Sequence, residues 1–382
     1  MSGVRFALMA GGGTAGHLQP ALAIAEALVQ NGHDRDTIEF VGSRRGQDRA
    51  VLAGRGFPYT LLPGRGIVRS GRPQDVIRNG MAVAELGAAV GRGLGVVLRA
   101  RPRVVVSVGG YASVPASLAA VVLGVPLVLV NVDAIPGAAN RLFGRFARAS
   151  AVGWDGTGLP RAVVTGTPVR PDIAGVARGP GERRQARREL GLPPDRPTVA
   201  AFGGSLGARR VNHAVSGLID RWAGRADRSI YHIVGRRDWE GGDKAERRVG
   251  RGGLAAVQVP YQERMATVYA AADVVLCRAG AMTVAELAAA CVPSVLVPLP
   301  GAPGDHQSAN ARVLERAGAS VLLPDSDCDV GRLAATLDRL LADPVGLAAM
   351  AKAAKTLGRP DAAVAGARVV EANARPAGRS RR

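Results

Sequence analysis

Val4-Arg5-Phe6-Ala7-Leu8-Met9-Ala10-Gly11-Gly12-Gly13-Thr14-Ala15-Gly16-His17 is an apolar run that ends in glycines. Thr198-Val199-Ala200-Ala201-Phe202-Gly203-Gly204-Ser205-Leu206-Gly207-Ala208 repeats the arrangement past the midpoint. Each predicts a buried strand, a tight glycine turn and a helix, the opening unit of a doubly wound α/β sheet. Working outward, further β-branched runs alternate with alanine-rich helical stretches. The strand candidates are Val4–Ala10, Thr37–Val41, Val104–Val108, Leu127–Val130 and Ala162–Thr165, then Thr198–Phe202, Ile230–Val234, Ala256–Val259, Val274–Cys277, Ser294–Val297 and Ser320–Leu322. Between them read the helices Pro20–Asn31, Val114–Leu123, Arg209–Trp222, Thr283–Ala290 and Ser308–Ala317. Alternation of this kind predicts parallel sheets covered on both faces, which is why the strands are continuous apolar runs.

The chain has 382 residues, 47% hydrophobic and 21% charged, with 51 Gly and 24 Pro, which excludes a disordered chain and a coiled coil. Single cores stop growing near ~250–300 residues, so two domains are expected. The Arg-, Gly- and Pro-rich stretch Arg170–Pro197, with a helix over Glu182–Leu190, places the boundary near Thr167–Pro168. Residues 1–167 and 168–352 then form two similar α/β halves facing a cleft. The final helical stretch, Pro344 to about residue 372, is expected to cross back to the first half over about 353–373, and residues 374–382 read as a disordered basic tail.

Cys277, Cys291 and Cys328 make no disulfide framework and lack metal-ligand spacing, which points to a reducing compartment. Val4–Ala10 is too short for a signal peptide. The longest apolar region, Val114–Val130, is interrupted by Ser117, Gly124 and Pro126 and does not read as a membrane span. The net charge is +19, from 50 basic and 31 acidic residues. Between Val41 and Gly110 twelve arginines face Asp48, Asp75 and Glu85, so this stretch carries about half of the imbalance. It reads either as a solvated face or as a surface for an anionic partner. The aromatic residues and motifs of a nucleic-acid binder are missing, so no nucleic acid is expected as a partner.

Four constellations carry chemistry. Gly11–His17 matches the dinucleotide fingerprint, and His17 at the mouth of the helix is a general-base candidate. The second glycine loop, with Gly204 and Ser205, aims the free amides of a helix start at a phosphate and lacks the lysine of a P-loop. In Cys277-Arg-Ala-Gly280-Ala281-Met282-Thr283-Val-Ala-Glu286, Thr283 and Glu286 have capping-box spacing, while the carboxylate is equally suited to accept two ribose hydroxyls. Asp305-His306-Gln307-Ser308-Ala309-Asn310 is a polar segment ahead of a helix, suited either to solvent or to a polyhydroxylated ligand. His33 reads as a surface turn residue; His213 and His232 read as packing residues.

Taken together, Gly12–Pro20, Gly109-Gly110-Tyr111, Pro136–Leu142, Gly166–Arg170, Gly203–Asn212, Cys277–Glu286 and Asp305–Ala311 resemble, in order and over nearly the whole chain, the MurG family of GT-B glycosyltransferases. The resemblance implies two Rossmann-like domains. It also implies inverting transfer of GlcNAc from UDP-GlcNAc to the 4-hydroxyl of MurNAc in undecaprenyl-diphospho-MurNAc-pentapeptide, the lipid I to lipid II step of peptidoglycan synthesis. On the donor side it implies Ser205, Gly204 and their loop at the diphosphate. Arg170 and the backbone near Gln262 would sit at the uracil, Glu286 with Ala281, Met282 and Thr283 at the ribose turn, and Gln307 at GlcNAc. Thr14, Ala15, Gly16 and His17 would face the reaction from the first domain, the first three binding the donor together with Asp133, with Gly109, Gly110 and Tyr111 toward the acceptor. Where the family has His-Glu-Gln-Asn, this chain reads Val130-Asn131-Val132-Asp133, which leaves His17 or Asp133 as the base. No Asp-x-Asp pair stands in a suitable loop, so no cofactor is required and a divalent metal is not expected to be essential.

The resemblance gives the arginine-rich stretch a partner. Arg65, Arg69, Arg72, Arg78, Arg92 and Arg99 flank Val76, Ile77, Met81, Val83 and Leu86, with Arg141, Arg145, Arg148, Phe143 and Phe146 expected nearby. Basic residues around apolar ones suit an anionic membrane surface. The implied location is peripheral, on the cytoplasmic face of the bacterial membrane, with other cell-wall synthesis proteins as further partners. Two other classes compete on parts of the pattern: an NAD-dependent oxidoreductase on the first glycine loop alone, and a GT-B transferase of another sugar or acceptor.

Overall fold

The structure, a computed structural model, describes residues 4–13, 15–44, 48–63, 73–204, 208–239, 247–249 and 253–376, with the backbone alone for 15, 73–86 and 247–249. It divides into two compact units, Met1–Val169 with Asp361–Arg382, and Arg170–Pro360. Thr14, Ser205, Arg65, Arg69, Arg72 and the expected tail beyond residue 376 lie outside the described residues. So do the side chains of Ala15, Arg78 and the apolar residues 76–83.

In the first unit, β1 (Ala7–Ala10), β2 (Ile38–Ser43), β3 (Tyr59–Leu62), β4 (Val104–Ser107), β5 (Leu127–Asn131), β6 (Ala149–Val152) and β7 (Ala162–Val164) form one sheet in the order β3-β2-β1-β4-β5-β6-β7. Every pair is parallel. β1, β2, β4, β5 and β6 are buried along their whole length, as their apolar runs require when helices cover both faces. Leu8, Val41, Val105 and Leu129 pack against Val97, Ala116, Ala120 and Phe143 on one face.

The second unit repeats the plan. β8 (Thr198–Phe202), β9 (Ser229–Ile233), β10 (Arg247–Val249), β11 (Ala255–Val259), β12 (Val274–Cys277), β13 (Ser294–Leu296) and β14 (Ser320–Leu322) run in the order β10-β11-β9-β8-β12-β13-β14. Its pairs are parallel except for the edge strand β10, which is antiparallel to β11. Val199, Ala201, Leu276 and Val295 meet Val211, Val215, Trp222 and Leu337 in its core.

Three expectations shift. The first helix starts at Ala15, not near Pro20, and carries Pro20 inside it, so His17 sits in its first turn. The single returning helix is two. Pro344–Leu357 is capped by the Asp343 side chain at Gly346 N (2.8 Å), and Ala362–Asn373 follows after a break at Gly358. The break has a cause: Pro360 lacks the amide a continuing helix needs and disfavours helical backbone at Arg359. Glycine is required at 358 because a Cβ there would lie 2.7 Å from the Ala288 carbonyl oxygen. Ala362–Asn373 belongs to the first unit and packs on Ala15–Gln30, where Asn31 Nδ2 donates to Glu371 Oε1 at 3.0 Å. His33 is no bare turn residue. Its ring stacks on Phe6, and Nε2 lies 3.1 Å from Glu371 Oε1. Among the described residues no helix is long and apolar enough to cross a membrane.

Candidate active site

In parallel sheets the loops that leave the strand ends gather along one edge, and ligands bind where the strand order reverses. In the first unit that reversal lies between β1 and β4. Gly13 N donates to Asp48 Oδ1 (2.8 Å) and Ser43 N to Asp48 Oδ2 (2.7 Å), with Asp48 fully buried. Gly12 permits this approach, since a Cβ there would lie 2.0 Å from Asp48 Oδ2. Tyr111, from the β4 loop, rests on Gly13 and shares a 2.7 Å hydrogen bond with Ser43 Oγ. Gly109 (φ +87°) and Gly110 (φ +74°) carry the backbone past the His17 ring. A Cβ on Gly110 would stand 2.9 Å from His17 Cδ2. The structure therefore brings His17, Gly109, Gly110 and Tyr111 together around the first glycine loop.

The β5 loop supplies Asp133. Asn140 Nδ2 donates to Val130 O and Asn131 Oδ1 (both 3.1 Å), and Asn131 Nδ2 donates to the Asp133 carbonyl oxygen (2.7 Å). The asparagine that stands in place of the family's glutamate is thus buried and holds the backbone of its own loop. Asp133 remains partly exposed at the strand end.

In the second unit the reversal lies between β8 and β12. Gly204 adopts φ +104°, and after residues 205–207 the helix Arg209–Arg221 begins at Ala208 with no side chain capping its amides. The β12 loop is held from several sides. Arg278 donates to Val297 O and Pro298 O (both 3.1 Å) and to Asp325 Oδ1 (2.6 Å). Buried Asn310 donates to Ala279 O (3.2 Å) just before the turn into Ala281–Ala289.

That helix corrects the capping-box alternative. Gly280 is its N-cap, so Ala281, Met282 and Thr283 form the first turn and Thr283 caps nothing; Glu286 lies in the second turn. Its Oε2 accepts from the Tyr269 hydroxyl at 2.8 Å. Burial pushes the Glu286 carboxyl above the usual range, against the Tyr269 hydrogen bond and the nearby Arg170 charge, which both favour ionisation.

The β11 loop places the remaining residues. Gln262 spends its side chain on the protein, donating to the Tyr231 hydroxyl (2.9 Å) and accepting from Arg264 N (3.0 Å). Arg170, at the N-cap of Pro171–Ala174, reaches Glu263 O at 3.4 Å. His306 begins the helix His306–Arg316 instead of preceding it, with Nδ1 donating to Pro303 O (2.9 Å), and Gln307 Oε1 accepts from Leu299 N (3.0 Å). His232 is part of a hydrogen-bonded chain between Asn212 and Gln258 (both 3.1 Å).

Sequence reasoning missed Asp48, Asn140, Tyr269, Arg278 and Asn310 as supports. Asn140, Arg278 and Asn310 stand in segments that carry the family resemblance, and Asp48 counts in the sequence only as a charge among the arginines. Tyr269, one of five tyrosines, carried no spacing signal. Among the described residues no group of three or more His, Cys, Asp or Glu side chains is arranged to hold a metal.

Comparison with known proteins gives the arrangement a family. The glycosyltransferase family 28 N-terminal domain matches residues 7–152, and the family 28 C-terminal domain matches 198–365. The UDP-N-acetylglucosamine–N-acetylmuramyl-(pentapeptide) pyrophosphoryl-undecaprenol N-acetylglucosamine transferase of Nocardioides sp. is 41% identical over 364 residues, 95% of this chain and 96% of the relative. The Desulforudis audaxviator transferase of the same name is 38% identical over 365 residues, 93% and 95% of the two chains. The crystal structure of Acinetobacter baumannii MurG superposes with a TM-score of 0.75 at 27% identity, covering 97% of this chain and 99% of that one. The calicheamicin glycosyltransferase CalG4, at 15% identity and a TM-score of 0.66, shares the fold alone. With the GT-B fold, both family domains and full-length relatives of this identity, the chain belongs to the MurG family of glycosyltransferase family 28.

Proposed function

We propose that the chain moves GlcNAc from UDP-GlcNAc to the 4-hydroxyl of MurNAc in undecaprenyl-diphospho-MurNAc-pentapeptide, with inversion. The observation that carries this reading is the carboxyl edge of the second sheet. The Gly204 loop, the Gly280–Ala281 turn with Glu286, and the Gln262 backbone emerge there, and Arg170 reaches in beside them to Glu263 O. A nucleotide sugar needs those three features: amides for a diphosphate, a carboxylate for two ribose hydroxyls, and a backbone edge for a pyrimidine. Gln307, at the start of the helix after β13, takes the sugar. An NAD oxidoreductase rests on the first glycine loop alone and gives the Gly203–Ala208 loop and the Thr283–Glu286 turn of the second unit no role.

Chemistry follows from charge. The acceptor hydroxyl attacks the anomeric carbon on the face opposite UDP, and His17 takes its proton, with Asp133 the other candidate base. Negative charge builds on the departing diphosphate, where the 203–208 loop, with Ser205, and the first amides of Arg209–Arg221 stabilise it. That arrangement needs no divalent cation, and activity should persist in a chelator. Gly109, Gly110 and Tyr111 hold the acceptor end, while Thr14, Ala15, Gly16 and Asp133 serve the donor. The lipid-linked acceptor is met at the cytoplasmic membrane surface, where the protein docks peripherally and meets other cell-wall enzymes.

The test is UDP release from UDP-GlcNAc with and without a lipid I analogue. Release that rises with the analogue, and a His17→Ala kcat about 10²-fold lower or more with donor binding intact, is the expected result. Release indifferent to lipid I would mean another acceptor. Near-normal turnover in His17→Ala would move the base to Asp133.

A further inference from the structure

We infer that Tyr269 is the positioning residue for the ribose site: its buried hydroxyl fixes one oxygen of the Glu286 carboxylate so that the other faces the nucleotide. The inference rests on the reading of Glu286 as the ribose ligand and adds the residue that aims it.

Tyr269 is fully buried on the helix Met265–Ala271, which follows directly from the β11 loop that carries Gln262. Its hydroxyl donates to Glu286 Oε2 at 2.8 Å. Its ring meets Phe202 edge-on, with centroids 6.2 Å apart and an interplanar angle of 67°. Phe202 is the last residue of β8, immediately before the glycine loop. One side chain thus joins the three pieces of the proposed nucleotide seat: its own helix beneath the pyrimidine edge, the strand end beneath the diphosphate loop, and the ribose carboxylate.

A glutamate in the second turn of a helix has three free torsions, and an unheld carboxylate loses rotamer entropy when a ligand orders it. The Tyr269 hydrogen bond removes that freedom beforehand. It also favours the ionised form, the acceptor that two ribose hydroxyls require, where burial alone disfavours it. A packing tyrosine needs some acceptor for its hydroxyl. What singles this one out is that the acceptor is the one carboxylate assigned to the nucleotide.

The experiment compares binding of UDP and 2′-deoxy-UDP by calorimetry in the wild type, Tyr269→Phe and Glu286→Ala, with thermal melting of each. Phenylalanine keeps the ring in its contact with Phe202. In the wild type, UDP binds more tightly than its deoxy analogue. Tyr269→Phe should weaken UDP about tenfold, the size of one hydrogen bond to a charged group, and bring the two affinities toward equality. Tyr269→Met, which fills the space without a hydroxyl, gives a second reading of the same ratio. A wild-type ratio in both Tyr269 variants, alongside a collapsed ratio in Glu286→Ala, overturns the inference even where melting temperatures fall. A wild-type ratio in Glu286→Ala overturns the ribose reading of Glu286 itself.

Discussion

Gly13 hangs from Asp48: its amide donates to Oδ1 at 2.8 Å, while Oδ2 of the same buried carboxylate accepts from Ser43 N at 2.7 Å. Both oxygens are used as acceptors, which an amide side chain cannot reproduce. Asp48→Asn turns an NH2 group toward one of the two backbone N–H groups and leaves that amide unsatisfied, at a cost of about 1–3 kcal/mol. Denaturant unfolding should show that loss. Turnover should fall while UDP binding, proposed for the other unit, holds. An unchanged midpoint would mean that water or a neighbour replaces the lost oxygen.

Gly110 gives a sharper probe of His17. Alanine at φ +74° is strained, and its Cβ would stand 2.9 Å from His17 Cδ2, so the ring must move. A displacement near 1 Å at a reacting group costs about 10²-fold in rate. Gly110→Ala should therefore lose kcat on that scale with donor KM little changed. Gly224→Ala, which has open space and an ordinary φ, should behave as wild type. Equal activity of the two variants would remove His17 from the chemistry.

The central strands were legible because residues such as Leu8, Val105, Val199 and Leu276 are buried on both faces and leave continuous apolar runs. The edge strands β7 and β14 were legible too, but the edge strands β3 and β10 and the interior β6 were not. β3 buries only Leu62 fully, β10 is three residues, Arg247–Val249, and β6 is only Ala149-Ser150-Ala151-Val152, so none leaves such a run. Helix starts failed where no side chain marks them: Ala15 and Ala281 follow glycine-rich turns, and Thr283 with Glu286 has the spacing of a cap without being one. The site's glycine loops and their order along the chain could be read directly. Their supports could not, because Asp48 meets Gly13 across 35 positions and Tyr269 meets Glu286 across 17, distances that only the folded topology closes.

Asp273 anchors the segment that leads into the second sheet. It accepts from Arg183 Nη1 (2.6 Å), Arg187 Nη2 (2.8 Å) and Thr198 N (2.7 Å), and the Arg187 side chain is 8% exposed. Removing one partner of such a pair strands the other charge in a dry site, at about 3–5 kcal/mol. Asp273→Ala should lower the melting temperature by several degrees or abolish folding of the second unit. A loss below 1 kcal/mol would show that Arg187 swings out to water.

Membrane docking has a described surface to test. Leu142 and Phe146 are 53% and 47% exposed, the Arg145 guanidinium lies 4.8 Å over the Phe146 ring, and Phe143, expected beside them, is buried. Each apolar side chain contributes up to about 1.5–3 kcal/mol when it leaves water, and each arginine about 1 kcal/mol at an anionic surface. Leu142→Ser with Phe146→Ser should cut partitioning into anionic vesicles at all salt concentrations. Arg72→Gln with Arg78→Gln should cut only the part that added salt removes. Full partitioning in both double variants would place docking elsewhere.

Glu286→Gln separates stability from binding. Burial holds the Glu286 carboxyl above its ordinary value of 4.5, so over a window starting there the folded protein keeps a proton that the unfolded chain gives up. Wild-type stability therefore falls as pH rises from below that value through the raised native one, and stays lowered above it. Glutamine has no such transition, and its Oε1 still accepts from the Tyr269 hydroxyl. The variant should melt at a higher temperature than wild type at neutral pH, with the gap closing below about pH 4, where both forms of the glutamate are protonated. Saturating UDP should reverse the order, because ligand at 100 times its Kd adds about 2.7 kcal/mol to a protein that binds it and less to one that does not. A variant less stable than wild type at neutral pH would show that the carboxylate is held by more than the Tyr269 hydroxyl. Equal UDP stabilisation of both proteins would take Glu286 out of the nucleotide site.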